Sequence, residues 1–229
     1  MSVSVIIVAA GSSRRMGFDK LAADLCGESV LTHSMLAFEA CPEVVEIRVV
    51  TSPERMGSVS EAAKRLGLSK FVEAIEGGAE RHLSVNAGLE RVGERCTLVA
   101  VHDGARPLIT PAAISRCVEV ARAHGAAALA HRVTDTLKRG DPEGKVVGAV
   151  SRDDLWAMET PQIFSLALLR EAYAVVLEQG EVVTDEVSAI TGIGHPVKLV
   201  ENNEPNLKIT VPGDLVVAEA ILRGRTSIS

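Results

Sequence analysis

The most chemically specific stretch of this chain is Ala9-Ala10-Gly11-Ser12-Ser13-Arg14-Arg15-Met16-Gly17, with Lys20 just beyond it. Small residues let the backbone approach a ligand closely, and their N–H groups can cradle an anion. Ala10 and Gly11 supply such backbone. Arg15 and Lys20 add cations: a guanidinium matches phosphate geometry and an ammonium is a mobile point charge. The combination suits a polyphosphate and reads as a nucleoside-triphosphate site. Neither Gly-x-x-x-x-Gly-Lys-Ser/Thr nor Gly-x-Gly-x-x-Gly fits this loop, so it is neither a P-loop nor a dinucleotide fingerprint. The second apolar run ends Val49-Val50-Thr51-Ser52. It lacks the acid that would hold a dinucleotide ribose, which disfavours a nicotinamide-dependent dehydrogenase.

Three further groups carry potential chemistry. In Glu76-Gly77-Gly78-Ala79-Glu80-Arg81-His82-Leu83-Ser84, paired glycines lie between a strand pattern and a helix pattern. Gly77 and Gly78 can offer backbone amides to the polar edge of a nucleobase, with Ser84 adding a hydroxyl; a plain strand-to-helix turn is the other reading. In Val101-His102-Asp103-Gly104-Ala105-Arg106-Pro107, a buried-type strand delivers Asp103 and Arg106 to its carboxyl end. Ligands of open α/β sheets bind at that edge. One carboxylate beside phosphates is a usual Mg²⁺ ligand, so Asp103 is the metal candidate; a structural Asp–Arg pair is the alternative. Toward the end of the chain come Arg152, Thr160-Pro161-Gln162, Thr184-Asp185-Glu186 and Asn206-Leu207-Lys208. Taken singly, Arg152 and Lys208 read as solvated charges, and Thr184-Asp185-Glu186 as a helix N-cap with first-turn acids. His33, His124, His131 and His195 have no partner that spacing can name.

The elements that would position these residues alternate. Apolar runs at Ser4–Ala9, Ile47–Thr51, Phe71–Ile75 and Thr97–His102 read as strands buried on both faces, with weaker ones at Ala126–Ala130 and Val197–Val200. Helical periodicity covers Val30–Glu39, Ser58–Leu66, Leu83–Val92, Pro111–Ala123, Ser165–Leu177 and Pro212–Leu222. Alternation of this kind predicts a doubly wound α/β fold with a mostly parallel sheet. The 229 residues suit one domain, 1–229, interrupted by a charged segment at about 134–157. There Thr136–Arg139 and Lys145–Val150 flank the turn signal Asp141-Pro142-Glu143-Gly144. The pattern predicts a hairpin, either an ordinary surface one or an arm that projects to a second subunit.

Bulk properties narrow the class. A net charge of −6 gives no basic field for nucleic acid or an anionic membrane, so phosphate must be held by local cations. Aromatics at 3% leave no stacking platform for single strands. Cys26, Cys41, Cys96 and Cys117 are scattered, without zinc spacing, and read as small core residues in a reducing compartment. No apolar run approaches the roughly 20 residues of a membrane span, and no leader pattern opens the chain. The expected location is the cytoplasm.

Taken in order, the stretches resemble the 2-C-methyl-D-erythritol 4-phosphate cytidylyltransferase family. The resemblance rests on Ala9-Ala10-Gly11 through Arg15-Met16 and Lys20, Gly77-Gly78-x-Glu80-Arg81-x-x-Ser84-Val85, and Val101-His102-Asp103-x-Ala105-Arg106-Pro107. It continues through Asp135-Thr136-x-Lys138, Arg152-x-x-Leu155-Trp156, Thr160-Pro161-Gln162, Thr184-Asp185-Glu186-x-Ser188 and Asn206-x-Lys208-x-Thr210. It spans nearly the whole chain and implies a Rossmann-like nucleotidyltransferase fold with a protruding β-hairpin arm. By resemblance, Arg15 and Lys20 stabilise triphosphate charge during transfer, and Gly77, Gly78 and Ser84 recognise cytosine. Asp103 and Arg106 lie beside the metal, ribose and substrate. Thr136 and Arg152 bind methylerythritol phosphate from a partner subunit's arm in a homodimer, and Lys208 contacts both phosphates. Two positions depart from the family pattern: Gly104 stands where alanine is usual, and Phe18-Asp19-Lys20-Leu21 where Pro-Lys-Gln is frequent.

The implied reaction needs no elaborate base. The acceptor's own phosphate, with a second pKa of about 6, attacks the α-phosphorus of CTP and pyrophosphate leaves. Catalysis is then positioning and charge neutralisation, with Mg²⁺ or another divalent cation. A cytidylyltransferase for ribitol 5-phosphate or another polyol phosphate shares most nucleotide motifs. Asp135-Thr136, Arg152 and Thr184-Asp185 favour methylerythritol. A non-catalytic nucleotide-binding subunit is the reading from a different class, and the presence of Arg15, Lys20 and Asp103 speaks against it.

Overall fold

Alternating side chains along the central strands feed two separate cores. In β1 (Val3–Ala9), Val3, Val5, Ile7 and Ala9 pack to one side and Ile6 to the other. In β6 (Leu98–Asp103), Leu98 and Ala100 join the first core, Val99 and Val101 the second. A strand apolar on both faces is stable only between two helical layers. The structure is a computed structural model and describes residues 2–11 and 17–226.

The chain continues through the short β2 (Asp24–Leu25) and β3 (Glu28–Ser29), α1 (Val30–Glu39), β4 (Val44–Thr51), α2 (Pro53–Arg65), β5 (Phe71–Glu76) and α3 (Arg81–Leu89). After β6 come α4 (Pro111–His124), β7 (Ala126–Arg132), β8 (Leu137–Gly140), β9 (Val146–Val150) and β10 (Trp156–Ser165). The chain closes with α5 (Leu166–Gln179), α6 (Glu186–Gly192), β11 (Lys198–Glu201) and α7 (Pro212–Thr226). The seven-stranded sheet has the order β11-β7-β10-β6-β1-β4-β5. α1, α2 and α4 contribute to the first core; α3, α5 and α6 contribute to the second.

The expected doubly wound, mostly parallel sheet is present, with one strand reversed. β10 runs antiparallel between β6 and β7. Sequence periodicity does not predict this strand, because Glu159-Thr160-Pro161-Gln162 interrupts its apolar character. The ladder breaks at the same place: its register shifts between Met158 and Gln162, and Thr160-Pro161 is cis. A proline inside a sheet needs such an interruption, since it cannot donate to the ladder. Helix starts follow local chemistry. Pro53, Pro111 and Pro212 sit in first turns, where the missing N–H costs nothing. α2 therefore begins at Pro53, ahead of the predicted Ser58. Thr110, Ser165 and Asp185 cap α4, α5 and α6 with side-chain oxygens.

The charged segment forms the predicted hairpin. β8 and β9 pair with each other in a two-stranded sheet of their own. Asp141 shapes the turn by accepting from the amides of Glu143 and Lys145, and Gly144 takes φ +80°. Val146 and Val147 are 68% and 59% exposed, so the hairpin leaves apolar surface uncovered within this chain. Its base is fixed, with Arg132 stacked 4.4 Å from the Trp156 ring. Of the cysteines, Cys41, Cys96 and Cys117 are buried as expected. Cys26 corrects that reading: it is exposed, at φ +57° in the turn between β2 and β3.

Candidate functional site

Parallel pairing brings the carboxyl ends of β1, β4, β5 and β6 to one edge. Ala9 lies beside Thr51, Thr51 beside Glu76, and Val8 beside Asp103. Two amides extend the edge beyond the strands: Gly77 N–H donates to Thr51 O at 2.9 Å, and Gly104 N–H to Val8 O at 2.9 Å.

Gly77 and Gly78 are more than turn residues. A Cβ on Gly77 would lie 2.4 Å from Ala10 Cβ and 2.9 Å from Ser84 Oγ; one on Gly78 would lie 2.4 Å from Leu83 Cβ. Only glycine lets the segment after β5 lie flush against the start of the first loop and the first turn of α3. Ala10, Gly77, Gly78 and Ser84 therefore form one continuous wall. Ser84 is buried, its hydroxyl 3.1 Å from Glu80 O and 3.3 Å from Gly78 O. Gly104 is also crowded: a Cβ there would meet Leu31 Cδ1 at 2.9 Å and Val8 O at 3.2 Å. The alanine usual at this position would need Leu31 to move.

Asp103 is the electrostatic centre. Lys208 Nζ donates to its Oδ2 at 2.8 Å, Arg106 Nε lies 3.5 Å from the same oxygen, and Arg81 Nε donates to Oδ1 at 3.4 Å. Burial alone would raise the Asp103 pKa. The charges of Lys208 and Arg81 outweigh it and hold the carboxyl far below the usual carboxylate range. The Asp103 amide donates to Thr160 Oγ1 at 3.0 Å, and that hydroxyl sits 3.0 Å from His102 Nδ1. His102 Nε2 lies 3.2 Å from Arg106 O. A carbonyl can only accept, so this geometry assigns the proton to Nε2 and makes Nδ1 the acceptor of the Thr160 hydroxyl. Burial lowers the pKa of His102 to about 4, keeping it neutral near neutral pH.

The segment 202–210 closes over the edge. Arg106 donates to Asn206 O at 2.8 Å and Met158 O at 3.3 Å, and Ile209 N–H to Ala105 O at 2.8 Å. Buried Glu159 accepts from Asn202 and Asn206 at 2.9 and 2.8 Å, and from His131 at 2.7 Å. His131, unassigned from spacing, thus has a carboxylate partner. Lys20 Nζ donates to Ile209 O at 2.7 Å, which brings the exit of the first loop to the residue after Lys208. Behind the edge, Arg81 forms a fork with Glu186 at 2.6 and 2.9 Å, and Tyr173 donates to the same carboxylate at 3.0 Å. Burial, followed by the Glu186 charge, pushes the Tyr173 phenol up, so it stays a donor.

The structure thus gathers Ala10, Gly77, Gly78 and Ser84 into one wall, and Lys20, Asp103, Arg106 and Lys208 into one polar cluster. Gly11 follows Ala10 with open space around it. Arg15 lies outside the described residues. Asp185 caps α6, accepting from the Ser188 amide at 3.0 Å and from Gln162 at 3.3 Å, with Thr184 exposed before it. Thr136 and Arg152 stand apart on the exposed arm, where Arg152 donates to Thr134 O. Sequence reasoning gave no role to Arg81, Thr160, Gln162 or Asn206, although each stands in a quoted motif. The missing signal was their long-range partners.

A crossover α/β sheet whose carboxyl edge joins a small-residue wall to a lysine-rich polar cluster defines a nucleotidyltransferase. The family model described as 2-C-methyl-D-erythritol 4-phosphate cytidylyltransferase matches residues 3–224. The enzyme of that name from Caldanaerobacter subterraneus is 40% identical over 97% of this chain and 100% of its own length. The one from Alkaliphilus metalliredigens is 39% identical over 97% of this chain and 94% of its own. The Thermus thermophilus crystal structure of that name superposes with a TM-score of 0.80 at 35% identity, covering 97% of this chain and 100% of that one. The 4-diphosphocytidyl-2C-methyl-D-erythritol synthase of Anaerococcus prevotii gives a TM-score of 0.85 at 27% identity, over 97% and 96%. This chain belongs to the 2-C-methyl-D-erythritol 4-phosphate cytidylyltransferase family.

Proposed function

We propose that this chain transfers the cytidylyl group of CTP to 2-C-methyl-D-erythritol 4-phosphate in isoprenoid precursor synthesis, with residues 1–229 acting as one catalytic domain. An oxygen of the acceptor phosphate attacks the α-phosphorus of CTP. The new P–O bond forms as the bond to the bridging oxygen breaks, and pyrophosphate carries away the electron pair. The acceptor phosphate is largely dianionic near neutral pH, so no base is needed. The observation that carries the reading is that Lys20 bonds Ile209 O, one residue past Lys208, whose own ammonium holds Asp103 at the sheet edge.

The wall of Ala10, Gly77, Gly78 and Ser84 holds cytosine through backbone groups and a hydroxyl. Gly11, Arg15 and Lys20 hold the triphosphate, and Lys208 reaches the phosphates between which transfer occurs. Its side chain is 43% exposed, so it can turn a proton toward ligand while staying near Asp103. Arg106 is largely engaged by Asn206, Met158 and Asp103, and supports the ribose side by fixing the segment that carries Lys208. Asp103 is the carboxylate for Mg²⁺ or another divalent ion: it is buried yet ionised, its partner Lys208 is half-exposed and can yield Oδ2, and Mg²⁺ takes one or two carboxylates plus phosphate oxygens and water. A bound ion would neutralise charge developing on the phosphates.

Thr136 and Arg152 complete the acceptor site from the arm of a partner subunit in a homodimer, with Thr184 and Asp185 on the acceptor side. The uncovered Val146 and Val147 support such a partner. Among the described residues no helix is long and apolar enough to cross a membrane; we place the enzyme in the cytoplasm. The test is pyrophosphate release with CTP and Mg²⁺. Methylerythritol 4-phosphate should support turnover and ribitol 5-phosphate should not. The reverse preference, or no release with either, overturns the assignment.

A further inference from the structure

The phosphate loop leaves β1 after Ala9 and ends at Asp19-Lys20, and one side chain from a different element touches both ends. Arg55 lies in the first turn of α2. Its Nη1 donates to Ala9 O at 2.6 Å and to Thr51 Oγ1 at 2.8 Å. Its Nε and Nη2 meet Asp19 Oδ2 at 3.0 and 2.9 Å. The other Asp19 oxygen accepts the Leu21 amide at 3.1 Å, so Lys20 sits between two tethered residues. The Arg55 side chain is 13% exposed and that of Asp19 41%.

We infer that Arg55 is a positioning residue for the reaction: its guanidinium clips the entry of the phosphate loop to its exit and so sets where Lys20 stands. The inference rests on the role of that loop in binding CTP proposed above. An exposed ion pair would count for little. Here the same guanidinium also bonds a strand-end carbonyl and a buried threonine hydroxyl, and only a planar fork can do all three at once. Fixing Ala9 and Asp19 to one guanidinium sets Ala10 and Lys20 in place before CTP arrives, and such preorganisation lowers the entropic cost of binding. It also aims Lys20 at Ile209, next to Lys208. The clip gives a physical meaning to Asp19, which stands where the family frequently has proline. A proline restrains the chain before the lysine by its ring; the carboxylate restrains it by pairing with Arg55.

The test compares the full chain with Arg55→Met, Arg55→Lys, Asp19→Asn and the Asp19→Asn/Arg55→Met double variant. It measures pyrophosphate release and, by calorimetry, CTP affinity. Arg55→Met should lower kcat about tenfold and raise KM for CTP, while KM for methylerythritol 4-phosphate stays within about twofold. Arg55→Lys should recover little, because an ammonium cannot span Ala9 and Asp19 together. Asp19→Asn should lose about threefold, and the double variant should be no worse than Arg55→Met alone, since the two act as one unit. A merely structural role would reduce the folded fraction without separating the two KM values. Wild-type kinetics in Arg55→Met, equal changes in both KM values, or multiplying losses in the double variant overturn the clip. Should Arg55→Met not fold, unchanged kcat and CTP affinity in Asp19→Asn overturn it, since Asp19 is the exposed partner. CTP calorimetry reads the clip even if neither polyol phosphate turns over, which separates its failure from that of the proposed reaction. A wild-type chain that binds no CTP overturns both.

Discussion

Around Asp103, polar side chains find their partners far along the chain; on the β8–β9 arm they find them next door. Lys208 and Asp103 are 105 positions apart, as are Arg81 and Glu186, and Arg106 reaches Asn206 across 100. On the arm, Lys145 pairs with Glu143 and Asp141 organises its own turn. The edge can exist only once the sheet is complete, and it is then over-determined. The arm is specified locally and has no core of its own. Its Thr136 and Arg152 stay exposed, whereas Asp103 is already locked in place. On the assignment proposed above, the nucleotide side is preorganised by one chain, and the acceptor side would take its definition from whatever the arm meets.

That contrast is sharpest in turnover. Lys208→Met should lower kcat by about 10²–10³, as removal of a transition-state donor does, with an unchanged circular dichroism spectrum. A loss under about threefold in a folded variant would put Lys208 outside the chemistry. The next effect is on stability. His102 is held neutral down to about pH 4, against the ordinary histidine value of 6.5, so between those values the unfolded chain binds more protons. Stability must then fall as pH falls through that window, by on the order of 3 kcal/mol. Asp103, whose pKa is depressed, contributes stability above the ordinary aspartate value of 3.8 and adds a further loss only in stronger acid. Urea titrations at pH 7 and 5 should show the His102 loss in the wild type and a flattened dependence in His102→Asn. Equal slopes would remove His102 as the cause.

Arm substitutions should act on binding. Arg152→Ala should raise KM for methylerythritol 4-phosphate about tenfold, the scale of one lost charge-assisted hydrogen bond, and leave KM for CTP within about twofold. Mixing Arg152→Ala with Lys208→Met should regain activity if each site borrows its arm from the partner, because one site of the mixed dimer is then intact. Purely additive residual activity would place the arm over its own subunit. Smallest of all, Val146→Ser should shift unfolding free energy by under about 0.5 kcal/mol while weakening self-association in sedimentation velocity. A large loss of stability would mean that the arm packs within its own chain.

The sequence made the sheet legible where apolar runs were continuous, as in β1 and β6, because burial on both faces leaves a contiguous signature. β10 was hidden by Glu159-Thr160-Pro161-Gln162, whose polar atoms serve the site and interrupt the pattern that marks a strand. The same held for the site. Gly77-Gly78 could be read as punctuation, but the reason for glycine, contact with Ala10 and Leu83, lies in tertiary approach. Spacing named no partner for Arg81, Arg55 or His131; folding supplied Glu186, Ala9 with Asp19, and Glu159.

The reversed β10 has a consequence for how this enzyme can change. Arg132 and Trp156 are paired residues on adjacent strands, so the chain leaves the sheet and returns to it at one point. Everything between them is a closed excursion whose ends are pinned side by side. Closure entropy grows only slowly with length, by about 0.6 kcal/mol per doubling. The excursion can thus be lengthened, trimmed or exchanged while the strand register of the nucleotide half stays as it is. On the roles proposed for Thr136 and Arg152, the arm's share of acceptor recognition is, in that sense, a cassette: it would drift toward a new polyol phosphate without the CTP machinery being rebuilt.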